Sequence, residues 1–329
     1  MAGDLKVGSG MATTPAIHPT AAVPPSRPRR FIPALGRDGL IGLAFVAPWI
    51  VGFLVFSALP MLASLVLSFT DFDPRQADEV RFIGLDNYAQ MLRDPALIKA
   101  SAVTVRFALI VVPVSLAAAL AIALLVNSTL LAGRNIFRTL FYLPLQIPIV
   151  ASTVVWIGVL NVSNGWLNLG LGALGVPPID WLNSTFWVHP ALAIMGLWGI
   201  GNMMLIFLAG LQSVPTELYD AARVDGAGPW SSFWKITLPM ISPVLFYNLI
   251  IVLIATFQYF TQAYVITNGR GDPGGETLFF NLNLFREAFQ FYNMGYASAL
   301  AWVLFAVVLA LTVVLFRTAG SWVYEGGGR

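Results

Sequence analysis

Covalent and metal chemistry have little to work with in this chain. It has no Cys, so no disulfide, thiolate nucleophile or thiolate metal site can form. Its two His, His18 and His189, lie far apart in sequence, and neither a nucleophile with a base nor a cluster of acids accompanies them. No G-x-x-x-x-G-K-[ST] phosphate loop occurs, so ATP hydrolysis of that kind needs another chain. The residue types suit non-covalent recognition of a neutral polar solute instead. Trp198 and Asn202 stand four apart, Thr256, Tyr259 and Gln262 fall near one helical stripe, and Gln258 lies beside them, all within oily segments. Amides and hydroxyls match the many OH groups of a sugar, and aromatic faces stack on its C–H surfaces. The competing use of Asn, Gln and Thr at such positions is hydrogen bonding between membrane helices.

The elements that carry these residues belong in a bilayer. Only 10% of the 329 residues are charged, against about 25% in a soluble domain. A transmembrane helix needs roughly 20 mostly apolar residues. Six segments qualify: 40–67, 102–126, 139–160, 190–211, 243–266 and 297–316. Strand alternation is absent, so the expected fold is an all-α, six-helix polytopic bundle. Basic residues favour the cytoplasmic side. The segments 1–39, 127–138, 212–242 and 317–329 hold eleven Lys and Arg, and the alternate loops hold six. Both termini and the 212–242 loop are therefore expected in the cytoplasm. Residues 1–39 are polar, Pro-rich and without periodicity, which predicts a disordered cytoplasmic tail. Residues 40–316 form the span domain, with a cytoplasmic loop at 213–242, and 317–329 form a second tail. The external stretch 161–189 predicts a short surface helix and a loop. A net charge of +2 gives nucleic acid no footing; membrane lipid is the expected surround.

No Asp, Glu or Lys lies within a predicted span, so proton-coupled transport has no relay. Sodium coupling through backbone carbonyls stays open, and a secondary sugar transporter is the alternative reading. Arg106 is the one charge inside a span. It either snorkels to the interface or serves the pathway as a gate.

The segment 217–239, ELYDAARVDGAGPWSSFWKITLP, interrupts the oily chain with acids, Gly and Pro. Thr216 is placed to cap a helix of about ten residues, Gly226 to end it in the left-handed conformation, and a second short helix is expected from 230 to 235. Leu218, Ala221 and Ala222 share a face. Acids and alanines in place of a basic, bulky face suit docking to protein rather than to anionic lipid.

This loop resembles the EAA motif of permease subunits in binding-protein-dependent ABC importers. Asp220-Ala221-Ala222 is followed by three residues, Gly226, nine more, then Ile236-Thr237-Leu238-Pro239. FIGLDNY (82–88), FRTLFYLP (137–144), TNG (267–269) and GYASA (295–299) are similar to the maltose and glycerol-3-phosphate branch of carbohydrate permeases, and TNG and GYASA to its maltose-type first permease. The resemblance covers residues 40–320. It implies the fold of a type I ABC importer permease in a bacterial or archaeal cytoplasmic membrane, and uptake of a sugar, polyol or oligosaccharide. It also implies a second permease, two copies of a cytoplasmic ATPase and an extracytoplasmic solute-binding protein. No cofactor is expected on this chain, ATP and Mg belonging to the ATPase. In the family the loop is a coupling helix seated in an ATPase cleft. That role falls here on Asp220, Ala221, Ala222, Gly226, Leu238 and Pro239, with Asp220 standing where the family has Glu. The resemblance also implies that the helices of Trp198–Asn202 and Thr256–Gln262 line the sugar path. The 82–88 and 267–296 loops are the expected docking surfaces for the binding protein.

Overall fold

The computed structural model describes residues 37–128 and 131–324, together with Gly3. The tail expected over 1–39 lies outside the described residues as far as 36, apart from Gly3, and so do 325–329. The chain divides into two units, Met1–Ser57 and Ala58–Arg329. The first holds α1 (Arg37–Phe53). The second runs α2 (Leu59–Leu67), α3 (Asp86–Met91), α4 (Pro95–Asn127), α5 (Arg134–Tyr142), α6 (Ile149–Val159), α7 (Trp166–Ala173), α8 (Val188–Trp198) and α9 (Gly201–Gln212). It continues with α10 (Thr216–Val224), α11 (Pro229–Ser232), α12 (Leu238–Met240), α13 (Ser242–Phe257), α14 (Thr261–Thr267), α15 (Phe280–Phe285) and α16 (Met294–Ala319). Among the described residues there is no strand, only an isolated antiparallel bridge between Thr70 and Phe82.

Four stretches are long and apolar enough to cross a membrane without a sharp bend: Gly39–Leu67, Pro95–Asn127, Ser242–Thr267 and Met294–Ala319. The expected spans 139–160 and 190–211 are not straight helices. The first is α5 and a short turn joined to α6 through a bend of 105°, the second α8 joined to α9 through 57°. The first bend follows from Leu-Pro-Leu-Gln-Ile-Pro. A residue before proline is pushed out of the helical region, and Ile147 is extended (ψ 126°) ahead of Pro148, the cap residue of α6. The second bend falls at Gly199 and Ile200, both near ψ 0°. It is held from outside: a Cβ at Gly201 would collide with the main-chain carbonyl of Phe141 at the end of α5. The two bends are thus locked together by a bare glycine.

Helix α4 is the centre of the second unit, packed against α8, α9, α13 and α15. Ala100, Val103, Phe107 and Val111 recur at helical spacing and are buried against α8 and the α14–α15 region. Further along, Ala119 and Ala123 are fully buried against Met204, Phe207 and Leu208 of α9. Lipid tails are as apolar as Leu, so small residues that let helices approach gain stability from close packing and not from leaving water. The polar ends are stapled by hydrogen bonds. Asn87 of FIGLDNY donates to the carbonyls of Ser68 (2.9 Å) and Thr70 (2.8 Å). Gly295 of GYASA lets the start of α16 meet the 70–72 backbone, donating to Phe72 O at 3.0 Å. In the 161–189 stretch, which holds the expected short helix as α7, Asn168 donates to Ile179 O (2.8 Å) and accepts from Trp181 Nε1 (2.9 Å). At the other end, α16 runs to Ala319, into the segment expected as a tail. Tyr324 N–H then donates to Ser242 Oγ at 2.8 Å.

The glycine lock predicts an asymmetry. Gly201→Ala is expected to destabilise the purified protein by about 1–3 kcal/mol, the usual scale of overpacking. Gly199→Ala, whose nearest contact would be an ordinary 3.6 Å, is expected to stay near wild type. Thermal unfolding of the two variants in detergent checks this; equal loss would remove the lock.

Candidate functional site

Three interruptions of helical backbone converge on one cavity of about 380 Å³. Ile149 follows the Pro148 bend, Gly199 and Ile200 form the α8–α9 bend, and residues 258–262 bridge α13 and α14; all of them line it. The third interruption has no Gly or Pro. Helix α13 ends at Phe257, Phe260 is extended in φ (−147°), and α14 starts at Thr261. Tertiary contacts hold it open. The Tyr259 ring packs against Phe107 and Phe279, each at 4.9 Å, and the freed Gln258 carbonyl accepts from Asn281 Nδ2 at 3.0 Å.

Five of the six residues singled out for a solute path, Asn202, Thr256, Gln258, Tyr259 and Gln262, line this cavity. Trp198 does not; its ring stands edge-on to Trp156 at 5.9 Å. The four-residue spacing of Trp198 and Asn202 assumes one continuous helix, and the bend at Gly199 separates them. Asn202 and Gln258 are exposed and Gln262 half-buried. Thr256 is buried and donates to Val252 O at 2.7 Å, so its hydroxyl oxygen remains free to accept. The Tyr259 hydroxyl is buried without a partner.

Two lining residues escape a reading of single stretches. Ser115 comes from α4. Asn248 is only 2% exposed, and its Nδ2 has no hydrogen-bond partner. A buried amide left unpaired costs about 1–3 kcal/mol, so this donor aimed at a cavity has a use there. Its signal was in the sequence: Asn248, Val252 and Thr256 recur every four residues, and all three line the cavity. Every lining residue is uncharged. A larger cavity of about 550 Å³ between α3, α4 and α16 is walled mainly by Met, Leu, Ile, Val and Phe, and suits no polar solute.

The 213–242 loop is the second candidate element. Thr216 does not cap its helix: Pro215 occupies the cap position and no side chain caps it, so Thr216 is the first helical residue. The exit is as expected. Gly226 (φ 76°) follows Asp225, and the amides of Gly226 and Ala227 return to the carbonyls of Arg223 (3.0 Å) and Ala222 (2.8 Å). This pair of bonds is the Schellman closure. Tyr219 and Ala222 are half-buried, whereas Leu218, Asp220, Ala221 and Val224 are exposed. Tyr219 OH lies 3.0 Å from Thr237 Oγ1, which ties α10 to the helical turn leading into α12. Leu238 is half-buried, and exposed Pro239 accepts Ser242 Oγ at 2.6 Å through its carbonyl. Asp220 is already paired with Arg223 (3.0 Å), both side chains mostly exposed.

A polytopic helical chain with a neutral polar cavity between broken helices and an exposed polar helical loop fits a membrane permease. Residues 112–323 match the family described as binding-protein-dependent transport system inner membrane component. A probable ABC transporter permease protein, YesP, of Bacillus subtilis is 41% identical over 88% of this chain and 94% of its own length. The trehalose/maltose transport system permease protein MalF of Thermococcus litoralis is 34% identical over 85% and 94%. The arabinooligosaccharides transport system permease protein AraP of Bacillus subtilis is 33% identical over 86% and 89%. A chain in the crystal structure of a bacterial alginate ABC transporter shares the fold, with a TM-score of 0.74 at 23% identity over 87% of this chain and 95% of that one. The chain belongs to the binding-protein-dependent transport system inner membrane component family, as a multi-pass ABC importer permease. Secondary transport, the alternative reading, is thereby set aside.

The loop geometry predicts that Gly226→Val strains the helix exit by roughly 1–2 kcal/mol through left-handed backbone alone, since a Cβ there meets nothing within 4 Å. Gly226→Asn, better tolerated in that region, is expected to retain transport, and Asp220→Asn to cost less than about 1 kcal/mol. Transport in reconstituted vesicles compares the three. A Gly226→Val protein transporting as well as Gly226→Asn would show that the exit angle is unimportant.

Proposed function

We propose that this permease carries a neutral sugar or oligosaccharide into the cell, and that the cavity at the three helix breaks is part of its path. The observation that carries the reading is the lining itself. Asn202, Asn248, Gln258 and Gln262 offer amide donors and acceptors and Tyr259 an aromatic edge, with no charge among them. Such a wall suits hydroxyls and gives a sugar phosphate no counter-charge. The names of relatives that move trehalose and maltose or arabinooligosaccharides support the same solute class.

In this reading the chain pairs with a second permease, two copies of an ATPase that binds ATP and Mg, and an extracytoplasmic binding protein. Both termini and α10 face the cytoplasm, and α10 docks in the ATPase through its exposed face. The tie from Tyr219 to Thr237 makes α10 and the entry to α13 move together, and α13 reaches the cavity at Asn248 and Thr256. That continuity is a physical route from nucleotide-driven closure to the solute. Loops 82–88 and 267–296 receive the binding protein.

Two measurements test the proposal. Asn202→Ala and Gln262→Ala should each slow uptake of the cognate sugar about tenfold, the scale of one lost hydrogen bond, while the complex assembles normally. Wild-type uptake would return these amides to packing. Tyr259→Phe separates the two roles of that residue: slowed uptake means a hydroxyl contact, and unchanged uptake means that the ring alone matters. For orientation, reporter fusions near Gly8 and at Gly320 should both read cytoplasm, and an external signal at either would overturn the topology.

A further inference from the structure

One cluster of charge lies outside both the cavity and the coupling loop. Glu276, in the segment between α14 and α15, is 8% exposed. Its Oε1 accepts from Lys99 Nζ at 2.6 Å and its Oε2 from Arg106 at 2.8 Å. Lys99 and Arg106 are seven residues apart on α4, two turns along one face. The main-chain carbonyl of Glu276 lies 2.7 Å from His189 Nε2, in the first turn of α8. A carbonyl only accepts, so Nε2 carries the hydrogen. Burial pushes the Glu276 carboxyl up, but the Lys99 hydrogen bond, with the charges of Lys99, Arg106 and His189, outweighs it and holds the group below the usual carboxylate range. No other carboxylate pairs with Lys99 or Arg106 among the described residues.

This grip is coupled to the cavity. Three residues past Glu276, Phe279 is fully buried and packs on Tyr259 (4.9 Å) and Phe107 (5.0 Å). The next amide, of Phe280, donates to Thr104 Oγ1 on α4 at 2.9 Å. The segment leading to Glu276 takes a backbone path that only glycine readily follows. Asn268, Gly269, Gly271, Gly274 and Gly275 all have positive φ, and three of the four glycines would crowd a side chain at about 3.0 Å if given a Cβ. The cations are also the accessible half of the grip: the Arg106 and Lys99 side chains are 53% and 39% exposed, that of Glu276 10%.

We propose that Glu276, held by Lys99 and Arg106, is a positioning residue that latches the 268–279 segment, and with it Phe279, against Tyr259 of the cavity wall and keeps the cavity shut toward the external side at rest. Release of the carboxylate frees the backbone that carries Phe279, and Phe279 leaves Tyr259. Arg106, the one charge within the spans read from the sequence, is then not a snorkelling residue but half of the catch. The proposal rests on the cavity being the solute path.

The test uses the assembled transporter in proteoliposomes. This chain has no Cys, so Ala255→Cys, on the cavity wall, gives it a single thiol whose modification by an external, membrane-impermeant maleimide is read on this chain by mass. At rest, without binding protein, Glu276→Gln should raise the labelling rate at least fivefold and raise ATP hydrolysis severalfold. Arg106→Gln, at a more exposed position, should do the same to a smaller degree, and it decides the matter if Glu276→Gln fails to assemble. A merely structural residue would lower assembly without opening the cavity at rest. Either variant assembling in normal yield with the wild-type resting rate overturns the latch. Labelling of the control with the latch intact, Ala255→Cys alone, during turnover with binding protein and ATP tests the path separately. Labelling there without any rise in the variants leaves the path standing and removes the latch; no labelling in turnover removes both.

Discussion

A backbone N–H or C=O freed inside a bilayer has no water to turn to, and the rest of this structure depends on that constraint. Non-helical backbone at membrane depth survives where it is buried in protein or faces a cavity. The chain opens its helices in three places, and all three openings face the same space. Freed carbonyls and amides, with the side chains beside them, give that space polarity without charge. The Gln258 carbonyl is satisfied by Asn281, but the Asn248 amide and the Tyr259 hydroxyl are not satisfied by protein. Unspent donors at a cavity wall are what a transient polar guest requires.

The two ends of the working path are built differently. On the loop side, α10 is closed by a Schellman pair and tied by Tyr219 to Thr237, so it acts as a stiff element with an exposed acidic and aliphatic face. Its internal Asp220–Arg223 pair is exposed and worth roughly 0–1 kcal/mol. At the opposite end the contacts are ionic, with a buried Glu276 carboxylate shared between two partly exposed cations.

Much of this was legible in the residues. Apolar run length marked the spans, and the spacing from Asp220 to Pro239 marked the exposed 213–242 loop, including the left-handed exit at Gly226. Pro144 and Pro148 were in plain view, yet a hydropathy run passes over them because both residues are apolar enough to continue it. The α8–α9 bend was less visible: Gly199 and Gly201 are common in membrane helices, and only the approach of the Phe141 carbonyl shows why one of them must be bare. The opening at 258–260 had no local signal at all, being held by Phe107, Phe279 and Asn281 from distant segments. Stripe arguments that assumed unbroken helices therefore placed Trp198 with Asn202; Asn248, two turns before Thr256 on the unbroken α13, was overlooked although its spacing was visible. Likewise Thr216 has the right side chain for a cap, but Pro215 before it takes the position.

The glycine at 201 has a consequence for how such a protein can diversify. The outline of the cavity is written in main chain: a proline at one corner, a carbonyl resting on a bare α-carbon at the next. Side chains such as Asn202, Gln258 and Gln262 line that frame and hold none of it together. Architecture and palette are thus separately editable: in the proposed reading, exchanging amides for hydroxyls or rings would change the cargo while the corners stay put, whereas a methyl group at residue 201 would disturb the cavity for every cargo alike.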